Sequence, residues 1–209
     1  MTDDLLPIVN NDPHSRRDEA VGRIEVVVAD LTTVKADAIV NAANESLAGG
    51  GGVDGAIHQA AGPGLLEHCK TLGGCPTGLA KVTPAFDLEK QGIRHIIHAV
   101  GPVWEGDESQ KLGYTHEDTL LASCYHQALT LATQHACDSV AFPGISTGVY
   151  GFPRDRAAKI AFGHVLGYLE KHDLPKRVIL CCYSDDDAKI LRAAIDSRED
   201  WMMNRRRMG

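Results

Sequence analysis

The chain has no run approaching the roughly 18 apolar residues that a membrane-spanning helix needs. Met1 to Glu19 is polar and acidic, without the basic stub and apolar core of a secretory leader, so the expected location is the cytoplasm. No CxxC and no HxxxH spacing occurs and the histidines fall into no ligand pattern, so no metal and no cofactor is expected. The cysteines, Cys69, Cys75, Cys124, Cys137, Cys181 and Cys182, are scattered through apolar stretches and are read as free, mostly buried thiols. Positive charge is scarce: 21 Lys and Arg stand against 28 Asp and Glu, a formal net charge of -7. Cations that neutralise phosphates supply most non-specific nucleic-acid affinity, so no general nucleic-acid binding is expected. The one basic cluster, NRRRMG from Asn204, is read as a solvated terminus.

The 209 residues, 44% of them hydrophobic, suffice for one domain with a real core. Short β-branched runs alternate with longer stretches of helical periodicity, which is the pattern of an α/β fold. Strands are expected over Ile24 to Asp30, Ala38 to Ala43, Ala80 to Phe86, His95 to Gly101, Ser139 to Ile145 and Arg177 to Tyr183. Helices are expected over Asp54 to Leu72, His116 to His135, Pro153 to His172 and Asp185 to Ser197. Continuous runs such as AIV and VILCC mark strands buried on both faces, which predicts a three-layer α/β/α sandwich. Residues 1–22 and 199–209 show no clear periodicity and are read as extensions of a domain spanning 23–198.

Two glycine-rich loops leave the carboxyl ends of predicted strands. The first, NAANESLAGGGGVDGAIHQAAG, begins at Asn41; the second, PGISTGVYGFP, begins at Pro143. Ligands bind at that edge of an open α/β sheet, and bare backbone there lets amide N–H groups close on an anion. No Lys or Arg occurs from Asn41 to Cys69 or from Ser139 to Pro153, so an anion would be held by neutral amides. That suits a diphosphate recognised by shape as part of a larger ligand.

Two familiar patterns fit less well. Gly50, Gly52 and Gly55 satisfy GxGxxG, but the strand is too distant for a dinucleotide turn and no acid lies between Glu67 and Asp87 to hold a ribose. Gly144, Ser146 and Gly148 satisfy GxSxG, but the downstream histidines, His164 and His172, share one predicted helix and none follows the last strand. Ser146 is therefore read as a phosphate-contacting hydroxyl.

The blocks DAIVNAANESLAGGGGVDGAIHQAAGPGLL, GCPTGLAKVT, IIHAVGPVW and SVAFPGISTGVYGFP, in that order, resemble a MacroD-type macrodomain, in particular the bacterial O-acetyl-ADP-ribose deacetylase (YmdB-like) branch. The resemblance spans roughly Arg23 to Ile195. It implies a mixed sheet of about six strands between helices, with ADP-ribose in a cleft across the strand ends. By that resemblance Asp30, with Leu31 beside it, takes the adenine amino group, and Tyr183 is the aromatic residue at the adenine. Asn44 faces the distal ribose, with Asn41 and Ala42 leading into it. Gly50, Gly51, Gly52, Val53 and Asp54 form the first ligand loop, and Ser146, Thr147, Gly148, Val149 and Tyr150 form the diphosphate loop. Ala29 and Leu31 stand where relatives often have Gly and Ile, and Glu105 to Asp118 reads as a charged surface loop.

The implied activity is hydrolysis of O-acetyl-ADP-ribose and of ADP-ribose linked to acidic side chains of proteins; the alternative is a non-catalytic ADP-ribose reader. The catalytic candidates are Asp54, to orient and partly deprotonate a water, and Asn44. His58 lies one helical turn beyond Asp54 and is expected to orient it. As the apparent N-cap of its helix, Asp54 should be a weak base unless the site desolvates it.

Overall fold

The computed structural model describes residues 13–106 and 114–208. Within them, β1 (Ile24–Val28), β2 (Ala38–Ala43), β3 (Ala80–Pro84), β4 (His95–Val100), β5 (Ser139–Phe142) and β6 (Arg177–Cys182) form one sheet in the order β1-β6-β5-β2-β4-β3. Every neighbouring pair is parallel except β3 with β4, so the expected mixed six-stranded sheet is what the chain builds. Strands end slightly earlier than their apolar runs. The Asp30 side chain turns back to accept the Thr32 N–H at 2.9 Å and caps a 3-10 turn, and Pro143, without an N–H, stops the ladder after Phe142.

Side chains alternate across the sheet and bury into two cores. Ala38 and Val40 of β2 face α1 (Pro13–Gly22), α4 (His116–Gln134), α5 (Arg154–Leu169) and α6 (Asp185–Met208). Ile39 and Ala43 face α2 (Gly52–Ala61) and α3 (Pro63–Thr71). The sandwich therefore has three layers, as expected.

Three local expectations need correction. The helix predicted over Asp54 to Leu72 is two helices, because Gly62 has φ +79 and Pro63 opens α3. A Cβ at Gly62 would lie 2.5 Å from Asp87 Oδ2, so the break also makes room for the next turn. The N-terminal stretch read as aperiodic contains α1, tied to the body by fully buried Ala20 and by Arg17 Nη1 donating to Glu170 Oε1 at 2.7 Å. The helix predicted to stop near Ser197 continues as α6 to Met208.

The charged loop expected over Glu105 to Asp118 lies outside the described residues at 107–113, and its end is helix. Thr115 and Asp118 form a reciprocal capping box at the start of α4. Buried Asp118 accepts from Arg156 Nε at 2.6 Å and from a second nitrogen of the same guanidinium. Burial works to lift this carboxyl, but Arg156 and the Thr115 N–H outweigh it and hold it below the usual carboxylate range. The pair's contribution is thus complete above the ordinary carboxylate pKa and is lost as pH falls through the depressed one. Asp118→Asn should lower unfolding free energy by about 3 kcal/mol, the low end for a broken buried pair because Arg156 keeps some water access; urea unfolding at neutral pH checks this.

The five parallel strands discharge their following loops on one edge, so Asp30, Tyr183, Pro143, Asn44 and Gly101 stand side by side although far apart in sequence.

Candidate active site

Asp54 is the third residue of α2, not its N-cap; that position belongs to Gly51, which offers no side chain. The carboxylate is directed inward instead and the residue is 5% exposed. Oδ1 accepts from Asn41 Nδ2 at 2.7 Å and lies 3.5 Å from His58 Nε2. Loss of water raises its pKa above the usual carboxylate range, and the Asn41 hydrogen bond and His58 only partly counter this. The weak base expected at a helix N-terminus is therefore a strengthened one.

Oδ2 faces the glycine loop. A Cβ on Gly50 would lie 3.2 Å from Asp54 Oδ2 and 3.5 Å from Asn44 Nδ2, so Gly50 is the bare surface flanked by both predicted catalytic side chains. Asn44 Nδ2 donates to the Gly49 carbonyl at 2.8 Å, and its Oδ1 accepts from Ser46 Oγ at 2.6 Å, which pins the loop from within. Gly51 and Gly52 are exposed, and Ala42, Val53 and His58 are half-buried. Gly55 carries the closest packing: a Cβ there would meet the Gly50 carbonyl oxygen at 2.5 Å. The GxGxxG pattern thus has a physical cause, loop against helix, without any dinucleotide.

Asn41, expected beside the ligand, is fully buried. It pairs in register with His98 of β4, and its Nδ2 lies 3.1 Å from His98 Nδ1 as well as 2.7 Å from Asp54. Reversing the amide would set Oδ1 against the carboxylate, acceptor to acceptor, so both amide hydrogens are donated and His98 Nδ1 must accept. Burial, reinforced by His58 and His68, pushes the His98 pKa down to about 3, so the ring is neutral with its proton on Nε2, 3.1 Å from Thr83 Oγ1. Among the described residues, His58, Cys69 and His98 bring potential metal-ligand atoms within 4.8 Å of one another. The protonated Nε2 presents no lone pair to that space, so the cluster reads as a polar support and not as a metal centre. His98, Thr83 and Cys69 escaped the sequence reading; the available signal was a histidine inside the apolar run HIIHAV.

The second loop is braced from within. Ser146 adopts φ +64 and is 6% exposed, and its Oγ has no hydrogen-bond partner among the described residues. The Phe152 N–H donates to the Ser146 carbonyl at 3.0 Å, the Gly151 N–H to that of Gly148 at 2.9 Å and the Trp104 N–H to that of Tyr150 at 2.8 Å. Thr147 Oγ1 donates to the Gly144 carbonyl at 2.9 Å, while Gly148 and Val149 project to solvent and Tyr150 is half-buried. Gly101, at the end of β4, is the floor: a Cβ there would lie 2.1 Å from Ser146 Oγ and 2.6 Å from Ile145 Cγ2.

The Macro domain family matches residues 40–161, the span that holds both glycine loops and Asp54. The chain belongs to the Macro domain family. Proteins named O-acetyl-ADP-ribose deacetylase in Enterobacter sp. (strain 638) and Escherichia coli K12 are 48% and 46% identical, over 84% and 85% of this chain and 95% and 98% of theirs. A Trypanosoma brucei macrodomain solved in complex with ADP-ribose superposes with a TM-score of 0.76 at 37% identity, covering 88% of this chain and 72% of that one.

At the far end of this macrodomain's strand edge stand Asp30 and Tyr183. They follow β1 and β6, which pair Val28 with Cys182. Asp30 is exposed, its Oδ1 committed to Thr32, and Leu31 beneath it is buried at 5% exposure. Tyr183 is 96% exposed, which removes the possibility that it is a core residue. A large ring left in water on a ligand-binding edge is available for stacking.

Proposed function

We propose that this macrodomain hydrolyses esters of ADP-ribose, deacetylating O-acetyl-ADP-ribose and also releasing mono-ADP-ribose from acidic side chains of proteins. The observation that carries the reading is the desolvated Asp54 carboxylate with its raised pKa, facing Asn44 over the bare backbone of Gly50. The names of the relatives and the ADP-ribose complex of a similar fold support it.

The ligand is laid out along the strand edge with adenine at Asp30 and Tyr183, the diphosphate over the Ser146 to Tyr150 loop, and the distal ribose against Gly50 to Val53. Asn44 offers an amide to the ribose hydroxyls. Asp54 Oδ2 then holds a water and takes its proton as the water oxygen bonds to the acyl carbon; the ester C–O bond breaks and the ribose oxygen is protonated. For an ester at the anomeric carbon, the same water attacks that carbon and the carboxylate leaves. The presence of both Asn44 and Asp54 beside Gly50 favours this enzyme over the reader. The partners are ADP-ribose-containing small molecules and mono-ADP-ribosylated proteins, and the place of action is the cytoplasm; no described helix is long and apolar enough to cross a membrane.

Purified protein offered O-acetyl-ADP-ribose and an aspartate- or glutamate-linked ADP-ribosylated protein side by side should release acetate from the first and ADP-ribose from the second. Release from neither, with ADP-ribose bound tightly, would establish the reader. Tyr183→Ala should weaken ADP-ribose about tenfold through lost base stacking while leaving Tm unchanged, because the ring packs on nothing in the fold; calorimetric titration and thermal melts read both.

A further inference from the structure

Asp54 is held from behind by groups that a bound ligand cannot touch. Asn41, fully buried, spends both amide hydrogens, one on Asp54 Oδ1 at 2.7 Å and one on His98 Nδ1 at 3.1 Å, and leaves its own Oδ1 without a partner. An unpaired buried acceptor is costly to keep. Turning the amide over would set that oxygen against the Asp54 carboxylate, so the two acceptors, Asp54 Oδ1 and His98 Nδ1, together fix the direction in which the amide donates. Asn41 and His98 sit opposite each other on β2 and β4 in the same face of the sheet. His98, fully buried, meets Thr83 Oγ1 at 3.1 Å and Cys69 Sγ at 3.8 Å through Nε2.

We infer that His98 is a positioning residue for the hydrolysis, acting through Asn41 to keep a hydrogen-bond donor on the inner oxygen of Asp54 and the outer oxygen turned to the glycine loop. The inference rests on the deacetylase reading for its kinetic consequence. The Asn41 amide nitrogen, which can only donate, sets the tautomer: Nδ1 accepts, the ring proton sits on Nε2, and the Thr83 hydroxyl oxygen accepts a hydrogen bond from it. The other titratable groups near Asp54 are His58 of its own helix and Cys69 of α3. Cys69 Sγ meets the other ring nitrogen, Nε2, and His58 approaches Asp54 Oδ1 directly at 3.5 Å rather than through Asn41.

Three variants and their combination test this. His98→Leu removes the acceptor and should lower kcat about tenfold with KM changed less than twofold. His98→Asn places an amide oxygen where Nδ1 stood and should restore most of the rate. In an Asn41→Ala background, His98→Leu should slow the enzyme no further, because its effect passes through Asn41. A carboxyl titration of Asp54 by carbon-13 NMR on the ligand-free protein should move upward in His98→Leu, since a hydrogen bond that favours the carboxylate is lost, and return in His98→Asn. If His98→Leu does not fold, the near-isosteric Thr83→Val, which leaves the Nε2–H without its acceptor and loosens the ring, should show a smaller change in the same direction. Rates that multiply in the double variant, or an Asp54 titration unmoved by either variant, would overturn the assignment even if Tm falls. Wild-type protein without turnover would defeat the deacetylase reading alone, and the carboxyl titration would still decide the role of His98.

Discussion

Asp54→Ala is expected to lower the deacetylation rate by roughly 10²–10⁴-fold, the range for loss of a positioned general base, while ADP-ribose affinity stays within about tenfold. The asymmetry follows from the geometry. Asp54 is buried at the wall of the loop, and the glycine backbone, Asn44, the Ser146 loop and Tyr183 remain to hold the ligand. The carboxylate must be ionised to accept a proton and its pKa is raised by burial, so the wild-type rate should fall on acidification through a limb lying above the usual carboxylate range. The sign for stability is opposite. The folded state holds the Asp54 proton more tightly than the unfolded chain does, so this group's contribution to stability declines as pH rises from the ordinary value through the raised one. Asp54→Asn should therefore be inactive yet melt at or above wild type at neutral pH, as expected where a site keeps a charge out of water for function. Unchanged deacetylation by either variant would remove Asp54 from the mechanism.

Gly101→Ala is expected to weaken ADP-ribose by about 100-fold without any new contact to the ligand, about 2.7 kcal/mol, which lies within the cost of forcing an extra methyl into a packed site. A methyl at this position would overlap Ser146 Oγ at 2.1 Å and Ile145 Cγ2 at 2.6 Å. A serine rotamer change could relieve the first overlap, but the second involves a fully buried side chain, so the loop itself must move. Gly167→Ala, within α5 and with open space at its Cβ, should leave binding unchanged and gain a little helix stability. Titration of ADP-ribose into the two variants, with circular dichroism to show that both retain their fold, separates displacement of the loop from unfolding. Equal affinities would mean that the Ser146 loop does not take part in binding.

The sheet and its functional edge were legible because strand periodicity and two glycine loops are local signals, and the alternation of elements dictates that the loops share one edge. The position of Asp54 was legible, but its chemistry was not. A carboxylate after a glycine run looks like an N-cap stabilised in its charged form, and only the tertiary fold reveals that Gly51 takes the cap while Asp54 loses its water. Asn41 was expected at the ligand by resemblance alone; strand alternation buries it in the layer beneath α2, where it meets His98 from a strand more than fifty residues away. Long-range pairing of that kind carries no local signature. Asp118 looked like one acid in a charged surface loop for the same reason: its partner, Arg156, is on another helix.

Hydrolysis of O-acetyl-ADP-ribose in water enriched with oxygen-18 tests the central claim most directly. Wild-type protein should release many equivalents of acetate per chain, each carrying one solvent oxygen, with no label at the ribose hydroxyl that carried the acetyl group, and Asp54→Asn should release none above the spontaneous rate. Tight binding of ADP-ribose with acetate formed only at the spontaneous rate would contradict the account and leave a reader in place of an enzyme.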